Sequence, residues 1–215
     1  MKRVSLFCGH YGSGKTNIAV NYALSLRQSG HEVSIADLDV VNPYYRTKDS
    51  ESELMAAGIE VVSSAYAGSN VDMPALPSQL YALVQDYSRY AIFDVGGDDR
   101  GAVALGRYVA YILKENNYEM FFVVNFFRPL TRTAEDALEV MREIETACGI
   151  AFTGIINNSN LGKETTLECV QSTFAKCERL RDLSGLPPAM IAAEEHLAEQ
   201  IPGAFPLRLQ KHPAG

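Results

Sequence analysis

The sequence predicts an α/β fold, a three-layer sandwich whose doubly wound, mostly parallel sheet carries helices on both faces. Three observations predict it. Short apolar runs alternate with longer amphipathic stretches, the rhythm of a βαβ series. Several of those runs are apolar almost throughout, as strands are when helices cover both faces of a parallel sheet. The first run leads straight into Gly9-His10-Tyr11-Gly12-Ser13-Gly14-Lys15-Thr16, a complete G-x-x-x-x-G-K-[ST].

Taken in order, strands are expected at 3–8, 32–37, 59–63, 90–95, 119–125, 152–157 and 189–192. Helices are expected between them, at 15–28, 77–88, 101–116, 133–147, 163–181 and 194–200. Gly30 and Gly149 sit just past two of these helices, where a left-handed C-cap residue is wanted. Pro187 and Pro188 lead into the last strand, and residues 64–78, rich in Gly, Ser, Asn and Pro, read as one long surface loop. No repeat, low-complexity tract or long linker divides the 215 residues, so residues 1–215 are expected to form one nucleotide-binding domain.

Composition narrows the function classes. Nineteen Lys and Arg against twenty-six Asp and Glu give a net charge of −7, which argues against a nucleic-acid partner, since such binding rests on clustered basic residues. No run of eighteen apolar residues is present, so no membrane span is expected. Gly, His and Tyr interrupt the N-terminal apolar run before a signal-peptide core could form. The four cysteines lack C-x-x-C spacing and suit reduced thiols, which points to the cytoplasm. Cys169 and Cys177, eight apart on one expected helix, have no further ligand to complete a tetrahedral metal set.

The phosphate loop is the strongest chemical signal. Its glycines let successive backbone N–H groups turn inward around phosphate oxygens at the start of a helix, where the dipole is positive. Lys15 is placed to reach the β and γ phosphates and the Thr16 hydroxyl to coordinate Mg²⁺. The nucleotide-binding set therefore runs from Gly9 through Asn17.

Three further strand ends carry polar residues. Asp37-Leu38-Asp39 closes the second strand, and a carboxylate there, such as Asp39, can orient a water or support Mg²⁺ through water. Ala91-Ile92-Phe93-Asp94-Val95-Gly96-Gly97-Asp98-Asp99 has the Walker B form, with Asp94 serving Mg²⁺ and Gly97 completing a D-x-x-G whose N–H can bond the γ-phosphate. Asp98 and Asp99 also suit a helix start. Ile155-Ile156-Asn157-Asn158-Ser159-Asn160 ends a later strand. An Asn amide such as Asn158 offers the donor and acceptor that an adenine edge needs, while N-K-x-D, the guanine signature, is missing. For Asn157, Ser159 and Asn160 an Asx-rich loop before a helix is an equal alternative.

Together these stretches resemble the MinD/ParA/nitrogenase-iron-protein class of P-loop ATPases, the CobQ/CobB/MinD/ParA nucleotide-binding domains, over nearly the whole chain. The resemblance implies a doubly wound P-loop NTPase fold, ATP and Mg²⁺ as cofactors, and a possible ATP-dependent homodimer. It implies that Asp39 positions the attacking water, that Thr16, Asp39 and Asp94 serve the metal, and that Lys15 serves the phosphates. Asn158 falls on the adenine-contacting Asn of the iron protein.

The chain departs from the pattern too. The family's usual loop carries a first lysine that crosses to a partner's phosphates; here that position is His10, followed by Tyr11 rather than Gly. The C-x-x-C of the iron–sulfur carrier branch is missing, and the proline-broken tail 203–213 cannot form a membrane-targeting amphipathic helix. The expected function is a slow Mg²⁺-dependent ATPase acting as a nucleotide-driven switch on a protein partner. Two alternatives stay open: a nucleotide-sensing module that hardly hydrolyses, and an ATP-dependent small-molecule enzyme of the dethiobiotin-synthetase or cobyrinate-amidase kind. Histidine, with an ordinary pKa of about 6.5, gives little fixed charge at neutral pH. Arg46, and after it Arg100, are therefore the candidate additional cations, a solvated surface role being an equal alternative for both.

Overall fold

A computed structural model describes residues 1–38, 47–63, 78–97 and 99–209. Asp39, Arg46, Asp98, nearly all of the 64–78 loop and the end of the tail lie outside the described residues, as does the side chain of Arg100. The strands are β1 (Val4–Cys8), β2 (Val33–Leu38), β3 (Glu60–Ser63), β4 (Tyr90–Val95), β5 (Tyr118–Val124), β6 (Gly154–Asn157), β7 (Pro188–Glu194) and β8 (Phe205–Leu207). They form one eight-stranded sheet in the order β3-β2-β4-β1-β5-β6-β7-β8, and every pairing is parallel. All strand C-termini therefore point to one edge, where the loops that follow β1, β5 and β6 and the turn at Gly97 after β4 lie, the place at which open α/β sheets bind ligands.

The helices are α1 (Lys15–Gln28), α2 (Glu51–Ala56), α3 (Ser78–Gln85), α4 (Asp99–Glu115), α5 (Ala134–Cys148), α6 (Leu167–Gln171), α7 (Phe174–Ser184) and α8 (Glu195–Ala198). Strand alternation sorts the core into two layers. Val4, Leu6, Phe93, Val95 and Phe122 face α3, α4, α5 and α7, meeting Leu80, Leu105, Tyr108, Ala137 and Leu180. Phe7, Ile35, Ile92 and Val123 face α1 and α2, meeting Ile18, Ala19, Ala23 and Leu54. Each fully buried Val, Leu, Ile or Phe among them contributes roughly 1.5–3 kcal/mol by leaving water.

Local chemistry sets the ends. Thr133 caps α5 in a reciprocal box with Asp136, and Gly149 ends it at φ 73°. Gly30, at φ 87°, takes the left-handed conformation expected past α1.

Several expectations need correction. The single helix at 163–181 is two: α6 stops at Gln171 and α7 starts at Phe174. The break is anchored by buried Thr173, whose Oγ1 donates to the Val170 carbonyl at 2.6 Å and accepts from Asn157 Nδ2 at 2.9 Å. Cys169 and Cys177 consequently lie on different helices, and no cluster of potential metal ligands occurs among the described residues. The tail is partly sheet: β8 pairs with β7 despite Pro206, which an outer strand accommodates because one side of its backbone needs no partner. Helix α2 was not expected at all. No described helix is long and apolar enough to cross a membrane.

Candidate nucleotide-binding site

The loop from Gly9 to Thr16 leaves β1 at the sheet's C-terminal edge and opens α1. Gly14 is the N-cap of α1 at φ 83°, a left-handed conformation that glycine adopts without penalty. Ser13 N donates to the His10 carbonyl at 3.1 Å, closing the turn. Lys15 and Thr16 follow, both buried, at 3% and 5% exposure. The Ser13 hydroxyl is buried without a hydrogen-bond partner among the described residues. A loop of this form, with a buried lysine and a polar group left over, fits a polyphosphate.

The other strand ends close in on this loop. A Cβ on Gly97 would lie 2.6 Å from the Gly9 carbonyl and 2.8 Å from the Tyr11 nitrogen, so the turn after β4 rests directly on the phosphate loop and only glycine fits. Asp37 and Asp94 are register partners on β2 and β4, both buried, and alternation puts them on the α1 face. Two carboxylates thus end their strands on the side from which Lys15 and Thr16 begin their helix. Thr47, the first described residue after the 39–46 segment, donates from Oγ1 to Asp94 Oδ2 at 3.0 Å. This donor set of hydroxyl and carboxylates suits a hard cation such as Mg²⁺, for which Thr16 and Asp94 are the candidate ligands. Asp37 and Thr47 were not among the expected site residues; the D-L-D spacing drew attention to Asp39 instead.

A cavity of about 600 Å³ opens over the loop. Residues His10 to Asn17, Ser13 excepted, form its phosphate end. Asn158, Ser159 and Asn160 line its middle, and Ala192, Ala193, Glu194, Leu207 and Leu209 form a largely apolar far end. Asn158 is 4% exposed and donates from Nδ2 to the Ser13 carbonyl at 2.7 Å, so one of its amide protons braces the phosphate loop. For its neighbours the loop-building alternative describes the geometry. Asn157 Oδ1 accepts from Ser159 N and Oγ, and Asn160 Oδ1 accepts from Gly162 N. Buried Asn125 joins the network, donating to the Asn160 carbonyl at 3.1 Å and accepting from Phe127 N at 3.0 Å. This web binds the ends of β5 and β6 into one rigid wall.

Two basic side chains stand beside the loop. His10 is half-buried and its Nδ1 lies 3.1 Å from the Tyr11 carbonyl. A carbonyl only accepts, so Nδ1 is the donor in this contact. Arg128, on the loop after β5, donates from Nε to the Gly12 carbonyl at 3.0 Å and lines the cavity. Nothing local in F-F-R-P marks it; its partner lies 116 positions away.

The fold and this loop define an α/β P-loop nucleotide-binding protein. The CobQ/CobB/MinD/ParA nucleotide binding domain model matches residues 9–165, and the chain belongs to that family. Among curated proteins none matches. The cell division protein FtsY of Thermotoga maritima aligns with a TM-score of 0.62 at 18% identity, over 92% of this chain and 63% of its own. FtsY from Mycoplasma mycoides aligns at 0.59 and 16% identity, over 90% and 62%. The signal recognition particle 54 kDa protein of Aeropyrum pernix, solved in complex with GDP, aligns at 0.58 and 18% identity, over 91% and 42%. At these identities the likeness concerns the fold. The chain spans about three fifths of the length of the two FtsY structures.

Proposed function

We propose that this chain is a cytoplasmic, Mg²⁺-dependent ATP-binding protein, a single domain over residues 1–215, that hydrolyses ATP slowly and acts as a nucleotide-driven switch on a protein partner. The observation that carries the reading is mechanical. Gly97 rests on the phosphate loop, and Thr47 ties the end of the 39–46 segment to Asp94. Both segments that follow the two carboxylate strands are thereby attached to the place where a γ-phosphate would sit.

Each residue has a role in that reading. Backbone N–H groups of the loop and Lys15 bind and orient the phosphates. Thr16 and Asp94 hold Mg²⁺, with Asp39 beyond, and the bound metal neutralises charge on the β and γ oxygens. Asp39 orients the attacking water. Asn158 braces Ser13 and borders the base. Adenine is the proposed base because N-K-x-D is missing; the aligned particle protein with GDP makes guanine the competitor to test. A homodimer is compatible with this reading.

Phosphate release from ATP with Mg²⁺, with Lys15→Ala as control, tests the proposal. Slow turnover lost in the variant is expected; equal rates at the assay floor would remove the catalytic part. A second reading, a nucleotide sensor that hardly hydrolyses, is favoured by His10 standing where the family's usual loop carries a lysine. Calorimetric ATP binding with no turnover over hours would select it.

A further inference from the structure

The phosphate end of the cavity carries one loop lysine, Lys15, while the position where the usual loop has a second lysine is held by His10, whose Nδ1 is engaged by the Tyr11 carbonyl. Arg128 lies in the same cavity wall. Its Nε bonds the Gly12 carbonyl at 3.0 Å, and a Cβ on Gly12 would meet that nitrogen at 3.3 Å, so the guanidinium lies against the phosphate loop itself.

The loop that presents it is built rather than free. Arg128 N donates to the Asn125 carbonyl at 3.1 Å, and Thr131 Oγ1 donates to the same carbonyl at 2.6 Å. Thr131 N donates back to the Arg128 carbonyl at 3.1 Å, and Phe126 N donates to Ser159 Oγ at 3.0 Å. Pro129 fixes the next φ. The Nε–H is spent on the anchor, and the two terminal nitrogens make no hydrogen bond or ion pair among the described residues. A guanidinium stays charged at any physiological pH, and its planar fork matches phosphate oxygens.

We propose that Arg128 is a phosphate-contacting cation of this site, supplying from the same chain the fixed positive charge that His10 does not. The proposal rests on the reading of the cavity as a nucleotide site. It adds a source of that charge beside Arg46 and Arg100, and one that needs no second chain.

The test is calorimetric titration of AMP, ADP and ATPγS, with the guanine counterparts in parallel, into wild type, Arg128→Gln, Arg128→Lys and Lys15→Ala. Glutamine keeps a donor for the Gly12 carbonyl and removes the charge; lysine keeps the charge. Arg128→Gln is expected to weaken the triphosphate analogue at least tenfold, the diphosphate less and the monophosphate less than twofold, with an unchanged thermal midpoint. Arg128→Lys is expected to recover most of the loss. Wild-type affinity for the triphosphate analogue in Arg128→Gln, or an equal loss across all three nucleotides, would overturn the proposal. Weakened binding in Lys15→Ala alongside either of those results would uphold the cavity as a nucleotide site while the role of Arg128 falls. If no nucleotide binds wild type, both the site reading and the role of Arg128 fall.

Discussion

Thr47 Oγ1 donates to Asp94 Oδ2 across 3.0 Å, between two fully buried residues 47 positions apart. The bond joins the point where the 39–46 segment re-enters the described fold to the carboxylate that ends β4. A hydrogen bond to a buried carboxylate is worth about 1.5–3 kcal/mol, so Thr47 cannot leave Asp94 without cost. Thr47→Val, which keeps the shape, should lower stability by about that amount and weaken the Mg²⁺ dependence of nucleotide binding, whereas Thr47→Ser should behave nearly as wild type. Thermal melts and titrations at stepped Mg²⁺ check this; equal behaviour of Val and Ser would count against the coupling.

Gly97→Ala asks whether the second-switch turn must touch the phosphate loop. The added methyl would meet backbone atoms of Gly9 and Tyr11 inside 3.0 Å, and backbone does not yield as a flexible side chain does. The expected result is a folded protein, by circular dichroism, whose ATP affinity falls at least tenfold. Unchanged affinity would show that the turn is free to withdraw.

The core makes a prediction about alkaline pH. Burial pushes the Tyr108 phenol up to about 12 from its ordinary 10.0, and the Cys177 thiol up to about 11 from 9.0. Both groups ionise first in the unfolded chain, which then binds fewer protons than the folded one. Stability is therefore full below about pH 9 and declines as pH rises towards 12. The Tyr108 hydroxyl also lacks a hydrogen-bond partner among the described residues. Tyr108→Phe should be neutral or stabilising by about 1 kcal/mol near pH 7 and should flatten the decline above pH 10, measured by urea unfolding across pH.

Arg3 is 7% exposed and forks onto Glu115 through Nε at 2.6 Å and Nη2 at 2.5 Å, while also donating to the Val84 carbonyl. Removing one partner of such a pair strands a buried charge. Glu115→Ala should cost about 3–5 kcal/mol. Breaking the exposed Arg179–Glu135 pair should cost under about 1 kcal/mol. Similar losses in the two variants would contradict this account of β1's anchorage.

These residues also mark how much was legible in the sequence. The phosphate loop, Asp94 and the α5 cap are local patterns, and periodicity located seven of the eight strands because buried parallel strands are apolar along their whole length. β8 was missed because three residues containing a proline carry no period. The break before α7 depends on Thr173 meeting Asn157, sixteen positions away, while the surrounding sequence continues to read as helix. Thr47 and Arg128 acquire meaning only from partners brought near by the sheet, Asp94 and the Gly12 carbonyl, which no local pattern announces.

The central claim is that the γ-phosphate controls the segments ending at Thr47 and beginning at Gly97. Hydrogen–deuterium exchange of the Mg²⁺ complexes with ATPγS and with ADP tests it most directly. The account predicts slower exchange with ATPγS in peptides covering 47–56 and 94–105, and equal exchange in β5 and β6. Identical exchange in both complexes throughout 47–56 and 94–105, with both nucleotides bound to saturation, would contradict it.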